Sequence, residues 1–392
     1  MHALGPLHDQ FSDRMQFLHA KRFDALWRSV RALLNSKKLW LTAMGRCWPS
    51  DAKRKHAIKA ADRILGNESL HADRFRIAAS VAAMCLPAGS SHPVILVDTM
   101  EIRPGLVALT ASIAHQGRSL SIWSTTVTAL RANAAHCRRF IRELAKVLPS
   151  RCQPVLVTDG GFEREWFDEV CRKGWHYVGR VRGQRVFRYR DEVVGCHALH
   201  LHARKRPVDL GYVAFGRDGT QTRRLLLSKL PNSNHRRLKV RGGGFVSGSN
   251  YKHYRTNAHE PLLLATSLQL TPAQVVNIYE RRMQIEQSFR DLKNHRWGWS
   301  LRHCLTRSSA RIEMLLLIAS IAALVQNMIG IAAEKMGLHF HHQANTVRCR
   351  RVLSFFTLGA LVLRDDIPIS SKLLKAIHRK MRNEIDHLGG LI

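Results

Sequence analysis

Acidic residues are scarce in this chain. Against 62 lysines and arginines stand 29 aspartates and glutamates, a formal net charge of +33. A deficit of that size implies a polyanionic partner, nucleic acid first and a membrane surface second. It does not make the chain a disordered basic tail, because 45% of residues are apolar and the charge alternates with periodic apolar segments. Also missing is any CxxC pair. The eight cysteines (Cys47, Cys85, Cys137, Cys152, Cys171, Cys196, Cys304 and Cys349) are scattered as in a reduced, cytoplasmic protein. The run CHALHLH from Cys196 has metal-like composition, but its histidines alternate as on a strand and no second cluster completes a zinc site, so it reads as structural. The start MHALGPLHDQ lacks the basic and apolar regions of a signal peptide. No repeat of solenoid period is found. One run, Met314 to Ala333, has the length of a membrane span. It contains Gln326 and Asn327 between basic flanks, so a buried core helix and no membrane partner are expected.

A chain of 392 residues suggests two or three domains. Residues 1–90 read as helical. A break at Trp48-Pro49 precedes a basic helix that Ser50 or Asp51 can cap and Gly66 can stop. That helix buries Ile58, Ala61, Ile64 and Leu65 and shows Lys53, Arg54, Lys55, Lys59 and Arg63. Two short helices with a basic second member suggest a helix-turn-helix-like DNA reader, the alternative being a basic bundle that merely packs. Residues 91–183 give three strands in a meander, a helix, a fourth strand, a second helix and a fifth strand. Residues 184–257 read as a β-rich insertion ending in a basic, glycine-rich loop. Residues 258–335 return to a buried strand and then helices, and 336–392 are helical. The fold class is therefore α/β with a mixed sheet.

The segment YERRMQIEQSFRDLK, from Tyr279 to Lys293, reads as one helix. Ile278, Ile285, Phe289 and Leu292 form its buried stripe. Tyr279, Arg282, Glu286, Arg290 and Lys293 form a second stripe about 100° round, at the edge of the buried face. One carboxylate among three cations and a phenol is either a solvated face or a site bordering a cleft. Two apolar runs supply further acids: PVILVD ends in Asp98 and PVLVTD in Asp159. Each aspartate taken singly is an ordinary turn or cap residue. If the strands are parallel neighbours, both acids leave at one sheet edge, where their repulsion calls for a divalent cation. Carboxylate oxygens suit Mg²⁺, with Mn²⁺ as a substitute, and three acids can hold two ions for in-line phosphodiester displacement.

Tyr279, Arg282, Glu286 and Lys293 fit the Y-(2)-R-(3)-E-(6)-K signature of bacterial insertion-sequence-four family transposases. RILGN, DGGF, RVRG (Arg180 to Gly183), VVNIY and QANTVRCRRVL resemble the transposon-ten branch of that family. The resemblance covers nearly the whole chain. It implies an RNase H-like core with an Asp-Asp-Glu triad, which falls on Asp98, Asp159 and Glu286, and a β-rich insertion between the second and third acids. It also implies cut-and-paste transposition by a homodimer on paired DNA ends, through a DNA hairpin. Tyr279, Arg282, Arg290 and Lys293, with Arg180 and Arg182, would hold DNA phosphates, while Lys53, Arg54, Lys55 and Lys59 would meet the terminal repeat. Two departures stand out. Arg290 is found where some relatives carry lysine, and the insertion has no tryptophan to hold a flipped base. Tyr251 and Tyr254, interleaved with Lys252, His253 and Arg255, are the substitutes expected for that role. The competing reading is a non-catalytic DNA-binding protein or an inactivated transposase acting as a repressor.

Overall fold

A computed structural model describes residues 4–86, 92–127, 134–162, 164–216, 221–229, 260–344 and 346–385. The chain divides into two compact units, Met1–Pro154 with Arg281–Leu391, and Val155–Glu280. The glycine-rich loop with Tyr251 and Tyr254 lies outside the described residues.

In the first unit the meander forms as expected. Strands β1 (Val94–Arg103), β2 (Leu106–His115) and β3 (Arg118–Val127) are antiparallel in sequence order. β2 is buried along almost its whole length, as its unbroken apolar and hydroxyl composition requires. β1 is fully buried over Val94–Val97 and changes character at Asp98, where polar residues begin to alternate. Asp98 therefore does not end its strand. It pairs with Thr110 of β2 in mid-ladder, because the amphipathic run Thr99–Arg103 continues to find partners on β2.

The helix Ser309–Lys335 is the one among the described residues long and apolar enough to cross a membrane, and 94% of its most apolar window is buried inside the protein. It packs against β3 and against the helix Phe355–Arg364. The last contact is backbone to backbone: a Cβ on Gly359 would fall 1.9 Å from the carbonyl oxygen of Gln326, and one on Gly330 would fall 2.1 Å from that of Phe355. Gln326, polar within an apolar helix, donates from Nε2 to the Phe356 carbonyl at 2.6 Å.

The N-terminal stretch is helical as expected. Its helices run Gly5–Arg14, Ala20–Ser36, Leu41–Arg46, Arg54–Leu65, Glu68–Ala72 and Arg74–Cys85. The basic helix starts at Arg54 with Lys53 at its N-cap and no side-chain cap, so Ser50 and Asp51 lie outside it. Gly45 lets the preceding helix approach closely, since a Cβ there would lie 2.6 Å from Ile58 Cα. Ala57 rather than Ile58 belongs to the fully buried stripe with Ala61, Ile64 and Leu65, and Ile58 stays half-buried at the crossing with this six-residue helix. Lys53, Arg54, Lys55, Lys59 and Arg63 are exposed.

The second unit holds a mixed sheet in the order β4 (Val155–Thr158), β5 (His176–Arg180), β10 (Leu262–Thr266), β9 (Gln221–Ser228), β8 (Val208–Phe215), β6 (Val186–Tyr189), β7 (Glu192–Gly195). β4 and β5 are parallel, joined through the helix Arg164–Arg172, and the remaining pairs are antiparallel. The strands of the 184–257 segment thus continue the sheet of β5 and β10 through the β10–β9 pairing. Cys196–His200 is a short helix rather than a strand. Burial of Cys196 and Leu199 sets a spacing of three there, which overrides the alternation of the histidines.

Candidate active site

The signature segment is not one helix. The helix Pro272–Glu280 ends before Arg281, and a second runs Met283–Lys293 with Arg282 at its N-cap. Gln284 N–H donates to the Arg281 carbonyl at 2.9 Å and Ile285 N–H to that of Arg282 at 3.2 Å, tight turns that interrupt the α-helical ladder. Tyr279 therefore does not share a helical face with Arg282, Glu286 and Lys293.

The second helix carries three faces, each with its own partner. Ile285 and Phe289 are buried in the core, as their spacing predicts, and Leu292 is half-buried. Gln284, Ser288 and Asp291, at i, i+4 and i+7, grip the β2–β3 turn. His115 N–H donates to Gln284 Oε1 at 2.8 Å, Ser119 N–H to Ser288 Oγ at 2.9 Å, and Arg118 Nε to Asp291 Oδ2 at 2.6 Å. Burial raises the Asp291 carboxyl above its ordinary range, and Arg118 opposes the shift. This clamp fixes the rotation of the helix against the meander.

The third face, Arg282, Glu286 and Lys293, is thereby directed towards β1. Arg282 Nη2 lies 2.7 Å from Glu286 Oε1 and its Nη1 3.6 Å from Asp98 Oδ2. One guanidinium thus bridges two of the three predicted acids, one from a strand and one from a helix. Glu286 stands in the first helical turn, where the positive end of the helix favours a carboxylate. Asp98 Oδ1 accepts from Thr99 N–H at 2.7 Å. Burial and Arg302 lower the Lys293 ammonium below its ordinary range, while Glu101 and Asp98 pull it back up, so Lys293 feels the same carboxylate. Arg290 is exposed on the helix surface.

In the second unit, Asp159 directly follows β4 as expected. Tyr279 is buried, and its hydroxyl donates to Asp159 Oδ1 at 3.3 Å. Arg180 Nη2 and Arg182 Nε lie 3.5 and 3.4 Å from the same Glu260 oxygen. Arg180 is buried and Arg182 half-buried. Sequence reasoning passed over Glu260 because nothing local links it to arginines some 80 positions earlier. It also passed over the clamp of Gln284, Ser288 and Asp291, although their spacing of four and three was there to be read.

Among the described residues, no three His, Cys, Asp or Glu side chains gather closely enough to hold a metal ion. Asp98 and Glu286 nevertheless offer hard oxygen donors that already converge on one cationic group, the donor chemistry that suits Mg²⁺. The model of the family described as transposase DDE domain matches residues 109–323, more than half of the chain. The matched span includes Asp159, Tyr279, Arg282, Glu286 and Lys293 and begins within β2, past Asp98. No curated protein matches the chain.

Proposed function

The chain belongs to the transposase DDE-domain family, and from that premise we propose that it is the cut-and-paste transposase of an insertion sequence, of the insertion-sequence-four family and its transposon-ten branch. The family implies DNA as substrate. One observation carries the assignment of the acids: Asp98 of β1 and Glu286 of the helix meet at one guanidinium. The convergence of two acids from separate elements on one cation supports the reading of both as ligands of a common metal ion.

Asp98, Asp159 and Glu286 are the proposed ligands of Mg²⁺, with Mn²⁺ as a substitute. The bound ion would supply Lewis-acid activation of water and neutralise charge on the phosphoryl oxygens. In the hydrolytic step a water oxygen bonds to phosphorus and the P–O3′ bond breaks. The freed 3′ hydroxyl then attacks the opposite strand, breaking its P–O3′ bond to form a hairpin. A second water opens the hairpin and regenerates the 3′ hydroxyl, which attacks target DNA with loss of a target 3′ oxygen. Arg282, Arg290 and Lys293 hold phosphate oxygens at the scissile end. Tyr279 orients Asp159 through its hydroxyl. Arg182 contacts the DNA backbone, and Arg180 supports it through their shared Glu260. Lys53, Arg54, Lys55 and Lys59 meet the terminal repeat. Tyr251 and Tyr254 stack the base extruded when the hairpin bends. The working assembly is a homodimer on paired ends in the cytoplasm.

The test is cleavage of DNA carrying the sequences that flank the gene. Wild-type protein with Mg²⁺ should nick at the element ends. Glu286→Gln keeps the shape of the side chain and removes its charge, so end binding should survive while nicking falls by orders of magnitude. Nicking by this variant at the wild-type rate would sink the assignment.

A further inference from the structure

Arg282 stands out among the cations of the site because it is bound to the acids themselves. Its side chain is 10% exposed, less than Asp98 at 18% and Glu286 at 41%, so the guanidinium is the most enclosed member of the group. Each of its two terminal nitrogens faces a different carboxylate, Nη1 towards Asp98 and Nη2 towards Glu286. A carboxylate oxygen compensated by a cation has little charge left for a second one. The residues that would hold Mg²⁺ are therefore engaged before any ion arrives.

We propose that Arg282 is a latch on the metal-binding acids: its guanidinium occupies Asp98 and Glu286 in the DNA-free protein, and a DNA phosphate draws it away. The proposal rests on the reading of Asp98 and Glu286 as metal ligands. The exchange is chemically balanced. A buried guanidinium cannot be left without an anion, but a phosphodiester offers two free oxygens that match its fork as well as a carboxylate does. The arginine then trades one anionic partner for another without a new desolvation cost. The two carboxylates, stripped of their cation, repel each other and gain affinity for a divalent ion. Binding of DNA and of metal thereby favour one another, and by linkage the effect is reciprocal. The consequence is a protein that holds its metal weakly until DNA is seated, which restrains hydrolysis in the absence of substrate.

The experiment measures Mn²⁺ binding to the full-length, DNA-free protein by electron paramagnetic resonance of the unbound ion. Arg282→Gln should bind Mn²⁺ about tenfold or more tightly than wild type, the loss of a charge-assisted contact being large enough for that. Arg282→Lys, which can serve only one carboxylate at a time, should lie between the two. Arg281→Gln removes the same charge one residue away and should leave Mn²⁺ affinity unchanged. Thermal melting of each variant checks folding, and Arg282→Lys decides the matter should the glutamine variant not fold. Affinity in Arg282→Gln and Arg282→Lys no tighter than wild type would overturn the latch. So would an equal gain in Arg281→Gln, which would show a general field effect. Adding Glu286→Gln to Arg282→Gln separates this failure from that of the underlying reading. If the double variant binds Mn²⁺ as tightly as Arg282→Gln alone, Glu286 is not a ligand.

Discussion

At the scale of single residues, the clamp between helix and meander shows how a side chain can become sensitive to pH through burial alone. His115 ends β2, and its imidazole is almost wholly enclosed, with Nε2 3.8 Å from a Glu384 oxygen. Burial pushes its pKa down to about 4, against the partial opposition of Glu384. A depressed histidine favours the folded state while neutral. Its contribution is fully present above the unfolded value of 6.5 and is lost as pH falls through the folded value of about 4. The loss amounts to something on the order of 3 kcal/mol at 1.36 kcal/mol per unit. His115→Gln retains the backbone N–H that Gln284 accepts and removes the titration. Denaturant melts of both proteins between pH 7 and 4 should show a steeper decline for wild type by about that amount. Parallel declines would remove His115 from the acid sensitivity of the fold.

At the scale of elements, two helix crossings depend on the absence of a side chain. In the core, Gly359 lies against the Gln326 carbonyl, where a Cβ would fall at 1.9 Å. Gly359→Ala must force the Phe355–Arg364 helix away from Ser309–Lys335 and stretch the Gln326 to Phe356 hydrogen bond. A cost of about 1–3 kcal/mol or more is expected in chemical denaturation. An unchanged midpoint would mean that the helices slide freely. The basic N-terminal helix makes the second case, for Gly45 of the preceding helix lies against it and a Cβ there would fall 2.6 Å from Ile58 Cα. Its exposed Lys53, Arg54, Lys55 and Lys59 project from a helix held to the Ser309–Lys335 helix by the ion pair of Asp62 with Arg311. Arg54 also donates to the Arg46 carbonyl at 2.7 Å, satisfying the end of the preceding helix. Replacing all four by alanine should weaken binding to the terminal repeat. The slope of log K against log salt should flatten by about 0.9 for each side chain that meets a phosphate. Binding curves over a salt series decide it, and an unchanged slope would move recognition to another surface.

At the scale of the whole molecule, the charge of +33 governs association more than folding. The full chain should bind random duplex DNA at low salt and lose about three decades or more of affinity between 50 and 200 mM. On DNA carrying the element ends, two chains should assemble with two ends. Sedimentation of the complex reads this stoichiometry, and a stable one-chain, one-end complex competent for strand transfer would contradict the paired-end reading.

Much of this protein is determined by its sequence alone. Strong local periodicity and turn chemistry placed the β1–β3 meander, the helices on either side of Asp159, the buried Ser309–Lys335 helix and the exposed face of the basic helix, because each rests on interactions between near neighbours. The acids proposed for the site were singled out from local pattern and resemblance together, Asp98 and Asp159 after apolar runs and Glu286 by its helical spacing and the signature of the resembled family. Other features were decided only by tertiary contacts. The signature segment breaks at Arg281–Arg282 without a glycine or proline to announce it. Asp98 stays within its strand because β2 continues to pair with Thr99, Met100 and Glu101 beyond it. Arg180 joins Arg182 at Glu260, and Arg282 turns to Asp98 rather than outward, through charges brought together from distant parts of the chain. Periodicity records which side chains are buried, but an ion pair depends on distance in space, and folding alone sets that.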